Sequence, residues 1–281
     1  MERTLGPARP TGGRSSSTLQ GSVVKRILAS LGMGNASVET VLSDANTAPG
    51  GMVHGEVFIT GGSVDQQIDQ LTVGLQARVE VESGDNEYSQ NLEFGRTRVG
   101  GELHLQAGAQ LRAPFELAVP WEAPITSYRG QFLRGMQVGV NTQLHVAGGV
   151  DPGDLDPVAI HALDSQTIIL DALERLGFAF SKADCERGKV RGVNQQLPFY
   201  QEIEYRAPGH YPGMSELELT FITDQQGCDV VLEMDKRGGL LTEGRDTFQR
   251  LRVEHATASA EDWAARLHQQ LHAAAGERSW L

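Results

Sequence analysis

Hydrophobic and polar residues alternate with a period of two through most of the first half of the chain, from 38 to 147. This period is typical of half-buried β-strands. The longest such segment is 70–83, and segments 51–60, 113–119 and 135–147 alternate in the same way. Turn-forming residues separate the segments. About seven strands with no helix between them predict an antiparallel β-sandwich.

The second half of the chain combines strands with two helices. Residues 164–177 place their apolar side chains on one helical stripe, with Asp164 or Ser165 as the capping residue and Gly177 as the stop. Residues 259–275 predict a closing helix capped by Ser259. Further strands are predicted at 177–186, 196–206, 216–223, 228–236 and 248–255.

Composition changes along the chain predict its domain boundaries. Residues 1–21 hold Pro, Gly, Ser and Arg and few apolar side chains, which predicts a disordered arm. Gly, Pro and Asp crowd into 151–157, which predicts a linker. The first domain is then 22–150, a β-sandwich preceded by a short helix, and the second is 158–281, a β-sandwich with the two helices described above.

Charge and cysteine content limit the class of protein. The chain has 281 residues, with 24 Lys+Arg against 36 Asp+Glu and a formal net charge of −12. An acidic balance argues against a nucleic-acid-binding domain. Two cysteines, Cys185 and Cys228, cannot form a disulfide framework, and the opening residues lack the apolar core of a secretory signal. A cytoplasmic location follows as the expectation.

No catalytic motif or phosphate-binding loop is found in the sequence. His268 and His272 stand at i, i+4 on the closing helix without a third ligand, and a solvated helix face is the simpler interpretation. The acidic run 151–157 departs from the calcium-loop pattern and is interpreted as turn-forming aspartates. Both cysteines are followed by an acidic residue, so inert thiols at strand edges are expected. We therefore expect no catalytic, metal or cofactor residues.

Two features are candidate contact sites for a partner or a membrane. Residues 22–31 form an amphipathic pattern with Lys25 and Arg26 outside the apolar arc, so this helix either packs on the protein or lies on an anionic membrane surface. Trp280 near the end of the chain is the second candidate, because tryptophan is enriched in binding hot spots.

Several segments together resemble the SpoOM-type sporulation-control family of bacteria. These are 30–40, 49–69, 114–126, 140–157, 176–188 and 197–204. The segment PFELAVPWEAPIT, residues 114–126, is also similar to one in the wider arrestin-like superfamily. The resemblance extends over about 23–255, most of the chain.

The resemblance implies two consecutive arrestin-like antiparallel β-sandwich domains, in agreement with the strand pattern. It also implies a non-enzymatic cytoplasmic regulator that acts through protein partners in sporulation, cell-cycle or cell-shape control. The alternative is a peripheral membrane scaffold that uses the helix 22–31. An unrecognised hydrolase or metal-dependent enzyme is the remaining possibility.

Overall fold

The predicted strands assemble into a mainly β fold in the computed structural model, which describes residues 35–83, 86–236 and 247–276. The mainly β class is thereby confirmed. The strands of the first half are β1 (Ser37–Leu42), β2 (Asn46–Thr47), β3 (Met52–Thr60), β4 (Gln66–Ser83), β5 (Asn86–Gly100), β6 (Leu103–Leu105), β7 (Gln110–Ala118), β8 (Ser127–Tyr128), β9 (Gln131–Phe132), β10 (Val138–Val146) and β11 (Gly153–Pro157).

The second half contributes the remaining strands and the helices. They are β12 (Ala159–Ile160), α1 (Asp164–Arg175), β13 (Ala179–Arg187), β14 (Phe199–Arg206), β15 (Met214–Thr223), β16 (Gly227–Lys236), β17 (Thr247–Glu254), a 3₁₀ helix (His255–Ala260) and α2 (Trp263–Gly276). No helix in these described parts is both long enough and apolar enough to cross a membrane.

The first half is built from two facing sheets. One contains β1, β3 and β7, and the other has β10 and β4 at its centre, with β5, β6 and β11 alongside. The predicted alternation is confirmed: Val53, Val57 and Ile59 of β3 point into the core, as do Val73 and Leu75 of β4. Side chains from both sheets therefore form one apolar core, as the sequence period requires.

In the second half, β13 to β17 form one antiparallel array that continues the larger sheet. The helices α1 and α2 cover its buried face, where Ile169 and Leu173 of α1 and Leu267 of α2 join the same core as Leu217 and Leu232 of the sheet. The layer that packs against the buried face of this sheet is therefore made of helices. The division of the chain into two β-sandwich domains stays a prediction.

The helices start and stop for reasons that differ partly from the predicted ones. Leu163, not Asp164 or Ser165, is the capping residue of α1, and its backbone N–H donates to the Gln166 side chain at 2.9 Å. Gly177 ends the helix with a φ of +88°, as predicted. The closing helix begins at Trp263 and not at Ser259, because the residues before it form a 3₁₀ helix.

The segment predicted as a linker is partly a strand. Gly153–Pro157 pairs antiparallel with β10, with Asn141 opposite Leu155. The alternation of Asp154, Leu155 and Asp156 places the two carboxylates on one face and the leucine on the other. This pairing ties the segment to the first-half sheet. The assignment of 151–157 as a linker between domains stays a prediction.

Residues 121–125 fasten the two halves together. Glu122 accepts hydrogen bonds from the backbone N–H groups of Gln196 and Leu197 at 2.7 Å each. The buried Gln201 side chain accepts from the Ile125 N–H at 3.0 Å and donates to the Ile125 carbonyl at 2.7 Å. Polar groups that are buried and satisfied in this way fix a single arrangement.

Each hydrophobic core also contains residues from the other half of the chain. Ile125 and Leu133 belong to the core under α1 and α2. Cys185 and Phe199 belong to the core of the first half. The boundary between the halves is therefore a packed junction.

Candidate interaction surface

A groove of about 400 Å³ opens at this junction and is lined mainly by apolar side chains. Phe132 and Leu155 form part of its walls although 74% and 51% of their surfaces are exposed. Met136, at the base, packs against both hydrophobic cores. We name this feature the junction groove. Exposed apolar side chains around a preformed concavity are typical of a binding site.

A tight hairpin presents Phe132 to the groove. The strands β8 and β9 are joined by Arg129 and Gly130, whose φ angles are +49° and +74°. Positive values at both central residues are those of the two-residue turn that matches the twist of a hairpin. A non-glycine residue rarely adopts this backbone conformation, so surrounding contacts must hold Arg129 there.

These contacts come from helix α1. The Arg129 guanidinium lies 2.7 Å from the Asp171 carboxylate and 3.6 Å from that of Glu174. It also lies over the Tyr128 ring, and the Tyr128 hydroxyl donates to Asp171. Burial, followed by the bond to Asp171, raises the pKa of Tyr128, which keeps the hydroxyl a donor. The hairpin is thus anchored at its turn while Phe132 projects outward.

The wall of the groove that carries Thr126 is held by backbone pairing. The Thr126 N–H donates to the Ile160 carbonyl at 2.8 Å, and the Thr126 hydroxyl accepts from the Ile160 N–H at 2.8 Å. Leu133 donates back to the Thr126 carbonyl at 2.9 Å. The groove is therefore preformed, which lowers the entropy cost of binding.

Arg78 gives the rim of the groove its charge. Among the described residues that line the groove, it is the one with a charged side chain, and Gln76, Asn91 and Gln137 supply neutral polar groups. The Arg78 guanidinium donates to the Ser89 hydroxyl at 2.9 Å, and this acceptor is uncharged. A cationic rim on a chain of net charge −12 favours an acidic partner.

The residues that the sequence predicts as contact sites, Lys25, Arg26 and Trp280, lie outside the described residues. The helix predicted at 22–31 and the arm 1–21 do so too. The residues that form the junction groove were missed, because Phe132 and Leu155 lie far apart in the sequence. The Tyr-Arg-Gly-Gln turn signal of the hairpin was the one local pattern that could have located Phe132.

The aspartates of 151–157 are not all turn residues as predicted, because Asp154 and Asp156 lie in β11. Asp151 accepts from the Val146 N–H at 2.8 Å, which lowers the pKa of its carboxyl group. Asp154 accepts from the Thr40 N–H of β1 at 2.8 Å and so joins the two first-half sheets. Burial, followed by the neighbouring Asp154, raises the pKa of Asp156 to about 7. The carboxylates of Asp151 and Asp154 therefore hold neighbouring backbone segments in place.

The two cysteines are buried and reduced. Cys185 lies in the interior of β13 and Cys228 at the start of β16. Burial, followed by the charge of Asp184, raises the pKa of Cys185, and burial raises the pKa of Cys228 to about 12. Both thiols therefore stay protonated at neutral pH. The sequence predicts inert thiols at strand edges, whereas Cys185 lies inside its strand.

The histidines of the closing helix contact an aromatic residue of the sheet domain. The rings of His268 and His272 are 4.4 Å apart, and the Tyr211 hydroxyl lies 2.9 Å from Nδ1 of His268. Tyr211 is fully buried while His268 is exposed. His272 is half-buried and its ring also contacts Tyr211, so this helix face is only partly solvated.

Carboxylates of the second-half sheet are the residues that could hold a metal ion. Two groups of three have oxygens close enough to share one ion: Asp184, Glu186 and Glu202, and Glu202, Glu218 and Glu233. The sequence alone did not distinguish these acids from other surface carboxylates, because they meet only when the strands pair.

Comparison with known proteins places the chain in a family. The model of the SpoOM protein family matches residues 24–238. The chain belongs to the Spo0M family. It is 33% identical over 248 residues to the sporulation-control protein Spo0M of Bacillus subtilis (strain 168), covering 86% of this chain and 93% of that protein.

A solved structure agrees with this membership. The crystal structure of the sporulation-control protein Spo0M from Bacillus subtilis superposes with a TM-score of 0.73 at 30% identity, covering 85% of this chain and 98% of that one. The family resemblance predicted from the sequence is confirmed, and a regulatory role of the sporulation-control type is supported.

Proposed function

We propose that this Spo0M-family chain is a non-enzymatic cytoplasmic regulator that acts by binding a protein partner in the junction groove. The observation that carries the proposal is the exposed Phe132, which a hairpin anchored to α1 holds beside a preformed apolar groove. Displaying a large aromatic side chain in water has a cost, and a partner that buries it recovers about 2 kcal/mol or more.

The partner's binding segment has a chemistry that the groove defines. An apolar side chain fills the space between Phe132, Met136 and Leu155, and acidic residues beside it meet Arg78 on the rim. Because Met136 in the groove packs against both cores, an occupant contacts a side chain that the two halves share. Such an occupant stabilises one relative arrangement of the halves, which is a route to regulation.

The test uses a photocrosslinking amino acid placed at position 132 in the native host. The control places it at position 150, because Val150 is also 74% exposed but does not line the groove. We expect crosslinks to a discrete partner from position 132 and none to that partner from position 150. Adding Arg78→Glu to the position-132 protein should weaken the crosslink.

A second measurement tests whether the contact matters for regulation. Phe132→Ser should abolish the regulatory effect of the protein on sporulation in the host. Its melting temperature should stay within about 2 °C of the wild-type value, because the Phe132 side chain is mainly exposed. Identical crosslinks from both positions, or full control activity of a folded Phe132→Ser protein, would show that the groove is not the binding site.

A further inference from the structure

The outer face of the second-half sheet carries acidic residues on four neighbouring strands. Asp184 of β13 is opposite Glu202 of β14, and Glu218 of β15 is opposite Glu233 of β16. Side chains alternate along strands, so these acids project away from the helices that cover the other face. Together with Glu186 they form a continuous surface, which we name the acidic face.

The oxygens of the acidic face are spaced to share cations. In each of the two groups of three, the ligand oxygens lie within 4.8 Å of one another, and Glu202 belongs to both groups. Oxygens around one Ca²⁺ lie roughly 2.3–2.6 Å from the ion, so opposite ligands are separated by about 5 Å. The spacing therefore fits a single ion in either group.

Asp184 has a buried carboxylate oxygen that makes no hydrogen bond to the described residues. Its residue surface is only 7% exposed, and its Oδ1 atom is buried with no hydrogen-bond partner in the described structure. Its other oxygen, Oδ2, accepts from the Lys182 ammonium at 2.8 Å. A buried carboxylate oxygen without a partner is costly, and a cation is the ligand that would satisfy it.

The acidic face also forms a concave surface. A groove of about 350 Å³ is lined by Tyr200, Glu202, Glu218 and Glu233, and by Lys189 and Arg191 of an adjoining loop. The Lys189 ammonium donates to the backbone carbonyls of that loop, including that of Gln195 at 2.9 Å. Among the described residues, three carboxylates and two cations therefore line the groove.

The carboxylates of the acidic face repel one another. Burial, followed by repulsion from Glu218, Glu186, Asp184 and Glu233, raises the pKa of Glu202 to about 8. A cation with two positive charges would relieve this repulsion.

We propose that the acidic face binds an oxygen-preferring divalent cation, with Ca²⁺ as the ion of this class, through Glu202 and its neighbours. Carboxylate oxygens are the ligands that such hard cations select, and the number of acids favours Ca²⁺ over the more hydrated Mg²⁺. This site is separate from the junction groove, so it stands or falls independently of the proposed function.

The test uses Tb³⁺ as a luminescent substitute for Ca²⁺ with the whole chain. Tyr200 lines the same groove and can sensitise a bound Tb³⁺ when it is excited. We expect saturable luminescence that Ca²⁺ displaces. Tyr200→Phe should lower the amplitude of the signal without moving the midpoint of the Ca²⁺ displacement.

Two variants that each exchange one carboxyl group for an amide distinguish a specific metal site from non-specific attraction of cations to an acidic protein. Glu202→Gln should weaken Tb³⁺ and Ca²⁺ binding at least about tenfold. Glu116→Gln removes an exposed carboxylate on β7, outside the acidic face, and should leave the affinity within about twofold. Glu202→Gln relieves repulsion, so it is expected to fold.

Calorimetry provides a second readout. Ca²⁺ titrated into the wild type should give saturable binding heat, and Glu202→Gln should weaken the affinity by the same factor as in the Tb³⁺ measurement. Absence of saturable binding, or equal binding by Glu202→Gln and Glu116→Gln, would overturn the proposal.

Discussion

Replacing Gln201 with leucine is the most direct test of how the two halves are joined. The Gln201 side chain makes two hydrogen bonds to the backbone of Ile125, at 3.0 and 2.7 Å, and both residues are buried. Leucine has a similar volume, so Gln201→Leu creates little cavity. It does leave the Ile125 N–H and carbonyl groups without their partners.

The expected loss follows from those two groups. A buried backbone group without a hydrogen bond costs about 1–3 kcal/mol, so Gln201→Leu should lower the free energy of unfolding by about 2–5 kcal/mol. Urea unfolding followed by tryptophan fluorescence measures this loss as a lower midpoint at constant slope.

A matched control separates this loss of stability from the effect of any glutamine-to-leucine substitution. Gln110 on β7 is exposed, and Gln110→Leu should change the free energy of unfolding by less than about 0.5 kcal/mol. If Gln201→Leu costs less than about 1 kcal/mol, or no more than the control, the two hydrogen bonds do not hold the halves together.

Three further predictions concern the acidic face, a tight turn and the thiols. In EDTA, the free energy of unfolding should fall as the pH rises from 4.5 to 8, because folded Glu202, with its pKa raised to about 8, keeps a proton that the unfolded chain has lost. Glu202→Gln should make this trend shallower, leaving the part due to Asp156, whose pKa is raised to about 7, and it should be more stable than the wild type at pH 8.5, by about 2–4 kcal/mol in urea unfolding; equal stability at that pH would refute the assignment. Gly50→Ala should cost about 2–4 kcal/mol, measured as a lower melting temperature, because φ is +75° and the new Cβ would lie 2.5 Å from the Trp121 ring; an unchanged melting temperature would contradict this. Cys185 and Cys228 should react with a thiol reagent only in denaturant, and rapid reaction of the native protein would show that one of them is accessible.

The sequence predicts most strands because their burial follows the period of two. In β4 every second residue from Leu71 to Val79 is apolar, and all five of these side chains are buried. Bulges interrupt the pairing of β4 with β5, not this alternation. In β5 the pattern is weaker, since Leu92 and Phe94 are its main apolar positions and pairing with β4 defines the strand. No strand was assigned to it from the sequence for that reason.

The candidate sites depend on pairing that one sequence cannot supply. The acidic face exists because Asp184 is in register with Glu202 and Glu218 with Glu233, across strands that are separated in the chain. The junction groove likewise requires Phe132 to lie near Leu155. The cap of α1 was mispredicted because the Gln166 side chain satisfies the Leu163 N–H and no hydroxyl or carboxylate is needed there.

The exchange of residues between the two cores has a consequence for how this family can evolve. Ile125 and Leu133 complete the core of the second half, while Cys185 and Phe199 complete that of the first. A recombination event that joined the front of one relative to the back of another would therefore mismatch both interiors at once. Inheritance of the chain as one block is favoured, and substitutions on either side of the join should be compensated across it.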